Sequence, residues 1–151
     1  MNLFTLKFES ITRFRDEMVL PAARDYLAHV FGEQAAHFNP WPDGWANVLQ
    51  KGDWQRPHFH PTQRNVVCGV YYVKLPESMP EPQGNIEFFN PIQVSVNHGF
   101  PSTRRLVPKE GTMILFPPWY IHYVYPFSTD GDRAIIAFDI LAQKPSGRFV
   151  T

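Results

Sequence analysis

The chain is short of several things at once, and each shortage closes a class of explanation. It has a single cysteine, Cys68, so no intrachain disulfide can brace it, and a reducing compartment is expected. Its 14 basic residues are balanced by 14 acidic ones and no basic run stands out. Binding through the phosphate backbone of a nucleic acid therefore has no electrostatic basis. No stretch approaches the roughly 18 apolar residues of a membrane-spanning helix. Residues 1–5 (Met-Asn-Leu-Phe-Thr) lack the basic and apolar regions of a secretory leader. A cytoplasmic protein that touches neither membrane nor nucleic acid is the expectation.

What is abundant is proline and ring. Fifteen prolines, nine glycines and 15% aromatic residues describe strands and turns better than helices, because proline is excluded from helix interiors and central strands. The length of 151 residues is about that of one domain and suffices for a core with an internal pocket.

Residues 3–8 alternate, with Phe4, Leu6 and Phe8 on one side, and read as a strand. Residues 11–31 form the one long helical stretch: Leu20, Ala23, Leu27, Val30 and Phe31 recur at helical spacing, Gly32 is a natural stop, and Pro21 divides the stretch. From Trp41 onward short β segments follow one another, at residues 45–50, 66–74, 85–89, 105–107, 112–116, 120–125 and 133–141. Loops at 76–83 and 97–105 separate some of them. About eight short strands imply an antiparallel sandwich, barrel or jelly roll. The expected organisation is a single domain over 1–151. Its parts are an N-terminal strand and helices (1–40), a β core (41–141) and a loose tail (142–151).

The chemistry concentrates in His58-Phe59-His60, His122 and Arg133. Side chains two apart on an extended segment point the same way, so His58 and His60 can share one face of a metal. His122 from a distant strand would complete three nitrogen donors and leave the other face open. Imidazole suits iron, zinc, copper and nickel alike. A structural zinc site would need a fourth ligand, and Cys68 lies far along its strand. Three nitrogens with free positions fit a catalytic metal better. A His-x-His pair alone is a weak signal, since histidines are more often surface or satisfied core residues, which is how His29, His37 and His98 read. Arg133 adds a rigid fork suited to a carboxylate.

The wording goes further than the spacing. Trp45-Ala46-Asn47-Val48, Lys51-Gly52-Asp53, His58-Phe59-His60-Pro61 and Gly69-Val70-Tyr71-Tyr72-Val73 occur in order. Gly84-Asn85-Ile86-Glu87-Phe88 with Asn90-Pro91, then Leu115-Phe116-Pro117-Pro118-Trp119-Tyr120-Ile121-His122, and finally Arg133-Ala134-Ile135-Ile136-Ala137-Phe138 follow. Over residues 41–141 the chain resembles the 2-oxoglutarate and iron(II)-dependent oxygenases of bacterial and phage type, relatives of the prolyl hydroxylases. The resemblance implies a mainly β double-stranded β-helix, a cupin-like jelly roll with the N-terminal helices packed on its sheet. It implies a dioxygenase (hydroxylase) that oxidises a C–H bond of a small-molecule or peptide substrate with molecular oxygen, releasing succinate and carbon dioxide. His58 matches the first iron ligand, His122 the distal ligand and Arg133 the co-substrate arginine. Tyr72 matches a tyrosine that touches 2-oxoglutarate, and Asn47 is a candidate contact to co-substrate or substrate. His60 occupies the position where most such enzymes carry a carboxylate, and its ligation is the preferred reading.

Trp45, Phe88 and Leu115 read as pocket walls or core, and Arg104 and Arg105 as a solvated pair. The exposed aromatics are compatible with a homodimer. A cupin-type metal protein that does not use 2-oxoglutarate is the competing reading. Gly52 lies six residues before His58, and Gly111 eleven before His122, offsets that approximate the two cupin motifs. Against it, Arg64 and Asn65 stand where the cupin glutamate belongs, and Arg133 has no cupin task.

Overall fold

The computed structural model describes residues 1–61 and 64–142; the expected tail lies almost wholly outside them. The N-terminal strand is not formed. Leu3–Thr5 is a 3-10 turn, because the Asn2 side chain binds the turn's own backbone and ties it to residues 42–44. The Asn2 side-chain oxygen accepts from the N–H of Phe4 at 2.9 Å and of Gly44 at 3.1 Å, and its amide donates to the Pro42 carbonyl at 3.0 Å. Local side-chain capping of this kind outcompetes a weak strand alternation. Phe4 is buried while Phe8, on the same side of the imagined strand, is 63% exposed.

The helical stretch is continuous but uneven. Helix α1 (Glu9–Arg13) runs through a wide π turn at Phe14–Val19 into helix α2 (Leu20–Phe31). Pro21, lacking an N–H, cannot make the ordinary bond to the preceding turn, and just before it the Leu20 N–H reaches back five residues to Arg15. Val19, Ala23 and Leu27, four apart, are the buried face, whereas Val30 is half exposed. Gly32, at φ +56°, ends the helix.

Among the described residues eight strands follow: β1 (Pro40–Leu49), β2 (Gln55–His58), β3 (Asn65–Lys74), β4 (Ile86–Phe89), β5 (Thr103–Leu106), β6 (Met113–Phe116), β7 (His122–Val124) and β8 (Arg133–Ala142). They form two antiparallel four-stranded sheets, ordered β1-β8-β3-β6 and β2-β7-β4-β5. The protein is thus mainly β with an N-terminal helical layer.

Strand β8 separates two cores by its two-residue period. Ile135 and Ala137 join Val70, Tyr72 and Leu49 from the first sheet and Ile86, Phe88 and Val124 from the second, filling the space between the sheets. Ile136, Phe138 and Ile140 turn the other way and pack with Phe4, Val19, Ala23 and Val67 under the helices. Each fully buried large side chain contributes about 1.5–3 kcal/mol, so both faces of the first sheet are stabilising. Among the described residues no helix is long and apolar enough to cross a membrane.

Candidate metal centre

The second sheet brings the histidines together. A register irregularity between Gln55 and His58 sets His58 directly opposite His122, and His122 on its other side pairs with Phe88 of β4. His60 lies two residues beyond β2, held by its backbone N–H to the Pro118 carbonyl at 2.9 Å. Phe59 between them points away and is 62% exposed, as the two-residue alternation requires. Ring centroids are 4.3 Å apart for His58 and His122, 5.4 Å for His60 and His122, and 5.5 Å for His58 and His60. One donor atom from each lies within 4.8 Å of the others.

The Nδ1 atoms are already engaged. His58 Nδ1 lies 2.8 Å from the Arg56 carbonyl and His122 Nδ1 2.9 Å from the Tyr120 carbonyl, the same step of two residues back in each case. A carbonyl only accepts, so both Nδ1 atoms carry the proton and Nε2 keeps a free lone pair. This is how ligand histidines are oriented in metal proteins. His60 Nδ1 stands 2.7 Å from Asp139 Oδ1, in contact but without the alignment of an N–H···O hydrogen bond. Burial, reinforced by the neighbouring His58 and His60 rings, depresses the His122 pKa to about 4 despite the Tyr120 carbonyl. The ring is neutral near pH 7 and able to donate to a metal.

The triad opens on a narrow cavity of about 40 Å³ that Arg133 also lines, with Val70, Val124 and Ile135 as apolar walls between. Arg133 is 1% exposed. Its Nε–H donates to the Gly84 carbonyl at 3.2 Å, but among the described residues Nη1 finds no partner. Tyr72, wholly buried, lies beside it, the guanidinium carbon 5.2 Å from the ring centroid, and its hydroxyl is likewise unpartnered. Burial pushes the Tyr72 pKa up, with Arg133 opposing. Buried polar groups are nearly always satisfied, so two unpartnered donors side by side mark a place for an acceptor. A carboxylate suits both, and three imidazoles with an open side suit a divalent transition metal that keeps free positions.

Some assignments change. Asn47 is half-buried in β1, opposite Ile135. It shares a strand face with Trp45 and Leu49, but only Trp45 of the three lines the cavity, stacking 6.3 Å from His60. Cys68 is not remote: it pairs with Asp139 across β3 and β8, and its thiol falls within 4.8 Å of donor atoms of His60 and Asp139. The distance in sequence is cancelled by sheet register. Burial, with Asp139 adding to it, raises the Cys68 pKa far above the usual range. Arg104 and Arg105 are both exposed, as expected, but they meet different surroundings. Arg105 donates to the Tyr125 hydroxyl at 3.0 Å and lies 3.6 Å from Glu87, while Arg104 borders a second cavity. His29, His37 and His98 are exposed, as expected.

Sequence reasoning missed Asp139, Asn65 and Asn85. Asn65 Nδ2 donates to Asp139 Oδ2 at 2.8 Å. Asn85, 1% exposed, has an Nδ2 without a partner among the described residues and follows the glycine whose carbonyl holds Arg133. Also missed was an apolar cleft of about 720 Å³ lined by Phe88, Ile92, Phe100, Leu106, Ile114 and Tyr120. Phe116 borders both cavities and packs 4.8 Å from His122.

The family model described as "Putative 2OG-Fe(II) oxygenase" matches residues 43–139, well over half of the chain, and the chain belongs to this family. Iron(II) and 2-oxoglutarate are the cofactors that go with it. Among solved structures the chain is similar to a prolyl-4-hydroxylase of Pseudomonas putida (15% identity, 89% of this chain and 67% of that one, TM-score 0.66). It is also similar to a 2OG-Fe(II) oxygenase-family oxidoreductase from Burkholderia pseudomallei (13%, 93% and 60%, TM-score 0.64). A third likeness is to the viral collagen prolyl hydroxylase of Paramecium Bursaria Chlorella virus-1, in complex with 2OG (19%, 83% and 72%, TM-score 0.54). The chain spans 60–72% of the length of these proteins. A search of curated proteins returns no match.

Proposed function

We propose that the chain is a 2-oxoglutarate-dependent dioxygenase that hydroxylates a C–H bond, with His58, His60 and His122 holding iron(II) through Nε2. The observation that carries the reading is the cavity itself: three oriented imidazoles and a buried arginine with an unpartnered Nη1 line the same space. Iron(II) with 2-oxoglutarate and oxygen supplies the oxidative chemistry, in which the co-substrate becomes succinate and carbon dioxide.

The protein's own residues bind, orient and exclude water. Arg133 takes the distal carboxylate of 2-oxoglutarate by charge-assisted hydrogen bonds, and the Tyr72 hydroxyl donates a further one. The aliphatic walls keep the space between carboxylate and metal dry, which strengthens each polar contact. The alternation of strands between the two sheets (β1, β3, β6 and β8 in one, β2, β4, β5 and β7 in the other) supports a double-stranded β-helix as the architecture. The apolar cleft beside Phe116 is of the size usual for ligand sites, and we assign it to a substrate with a largely apolar body.

The cupin reading lacks its glutamate: Asn65 is committed to Asp139. The deciding experiment is anaerobic titration of the purified protein with iron(II) and 2-oxoglutarate. A metal-to-ligand charge-transfer band that requires both components is expected. Tight zinc binding with no such band would overturn the assignment.

A further inference from the structure

Three imidazoles bring no charge to a divalent ion. Among the described residues, one carboxylate touches a ring of the triad, and it does so from behind: Asp139 Oδ1 lies 2.7 Å from His60 Nδ1. We propose that Asp139 is a positioning residue of the metal centre, which turns the Nε2 of His60 toward the ion and lends that ring the negative charge the ligand set lacks. The inference rests on the three-histidine reading above.

The placement is built rather than incidental. Both side chains are largely shielded, His60 at 13% and Asp139 at 14% exposure, so their attraction is weakly screened. The second oxygen of Asp139 is occupied by Asn65 Nδ2 at 2.8 Å. That bond fixes the carboxylate plane and leaves Oδ1 for the histidine. Asn65 is itself 8% exposed, at the start of β3, where a register irregularity before Val67 interrupts its pairing with β8. Cys68, wholly buried, faces Asp139 from the same strand. Asp139 also shares the inward face of β8 with Arg133, Ile135 and Ala137. One strand face therefore carries the arginine at one end and the carboxylate at the other, on either side of the triad's cavity.

A carboxylate set against the outer nitrogen of a ligand imidazole raises its basicity, and loss of such a partner typically costs 10–100-fold in metal affinity. His58 and His122 rest on backbone carbonyls. His60 alone has an ionisable partner, and it alone lies outside a strand. Its ring depends on Asp139 for orientation where the others depend on their own backbone.

The test compares D139N, N65A and H60A in the whole protein. It reads the iron(II) dissociation constant under anaerobic equilibrium dialysis, the Fe(III)/Fe(II) midpoint potential, and the melting temperature of the metal-free protein. D139N is expected to bind iron(II) about 10–100-fold more weakly and to shift the potential upward, with the metal-free melting temperature close to wild type. N65A, which keeps the charge but frees the carboxylate, should move the same two readouts by less. If H60A binds iron(II) like wild type, the three-histidine reading falls and takes this inference with it. If H60A is impaired but folded D139N keeps wild-type affinity and potential, Asp139 has no role at the metal. Should D139N not fold, N65A decides alone, and wild-type values in it overturn the proposal.

Discussion

Arg133 and Tyr72 meet inside the sheet sandwich with the guanidinium carbon 5.2 Å from the ring centroid, and each keeps a polar atom that no group among the described residues satisfies. Arg133→Ala should therefore cost more in co-substrate binding than in folding. Loss of hydrogen bonds to a charged group amounts to about 3 kcal/mol, or roughly 100-fold in the 2-oxoglutarate dissociation constant. Tyr72→Phe removes one donor and should weaken binding about ten-fold, near 1.4 kcal/mol. Arg133→Lys keeps the charge but not the fork and should recover only part of the loss. Titrations followed by the charge-transfer band measure all three. Wild-type affinity in Arg133→Ala would remove the arginine from the co-substrate site.

Why this constellation was legible, and its surroundings were not, follows from how far each relation reaches along the chain. His58 and His60 announce themselves by the two-residue period of an extended segment, and Arg133 opens an apolar strand in which a charge is out of place. Asn65 and Cys68 carry no such mark, and Asp139, although also a charge in that strand, has no partner within reach along the sequence. They meet only through the pairing of β3 with β8, which brings Asp139 to residues 71 and 74 positions away in sequence. The reading of residues 3–8 as a strand failed for a related reason. Asn2 ties the turn to Pro42 and Gly44, forty or more residues away, and those bonds outweigh three alternating side chains. The apolar cleft is equally a product of topology, since β4, β5 and β6 contribute its walls together.

His58→Ala and His122→Ala should each abolish stoichiometric iron(II) capture, since two neutral nitrogens on one face form a much weaker chelate than three. His122 is 3% exposed and packs against Phe88 and Phe116, so its removal also leaves a cavity and should lower the melting temperature. His58 is only partly buried and should not. Equilibrium dialysis beside thermal unfolding separates the two effects. Wild-type iron binding in His58→Ala would contradict its place among the ligands.

On the outer face of the second sheet, Glu87 should set part of the acid stability. Burial alone would raise its pKa. Contacts from Thr103, Tyr123 and Tyr125, together with the charge of Arg105, outweigh that and hold it at about 2, against 4.5 ordinarily. A carboxylate depressed in the folded state stabilises above its unfolded pKa, and that stabilisation disappears as pH falls from about 4.5 toward 2. Glu87→Gln should be less stable than wild type at pH 7, with the gap narrowing through that window. Urea unfolding at several pH values tests this. A gap that stays constant down to pH 2 would show that the charge contributes nothing.

Gly69 tests the packing that holds β3 against β8. A methyl group built there would stand 2.2 Å from the ring of Phe138 and 2.8 Å from Leu115, far inside contact distance. The strand conformation does not demand glycine, since Gly69 is not among the positive-φ residues. The demand comes from the Phe138 ring, which occupies the space over the glycine on the helix side of the sheet. Gly69→Ala should therefore destabilise by about 1–3 kcal/mol through overpacking. Phe138→Leu alone should also destabilise, by leaving a void. The pair together should be better than the sum of the two, because the shorter side chain vacates the space the methyl needs. Denaturant unfolding of the four proteins gives the coupling. Strict additivity would mean that the glycine is present for some reason other than this ring.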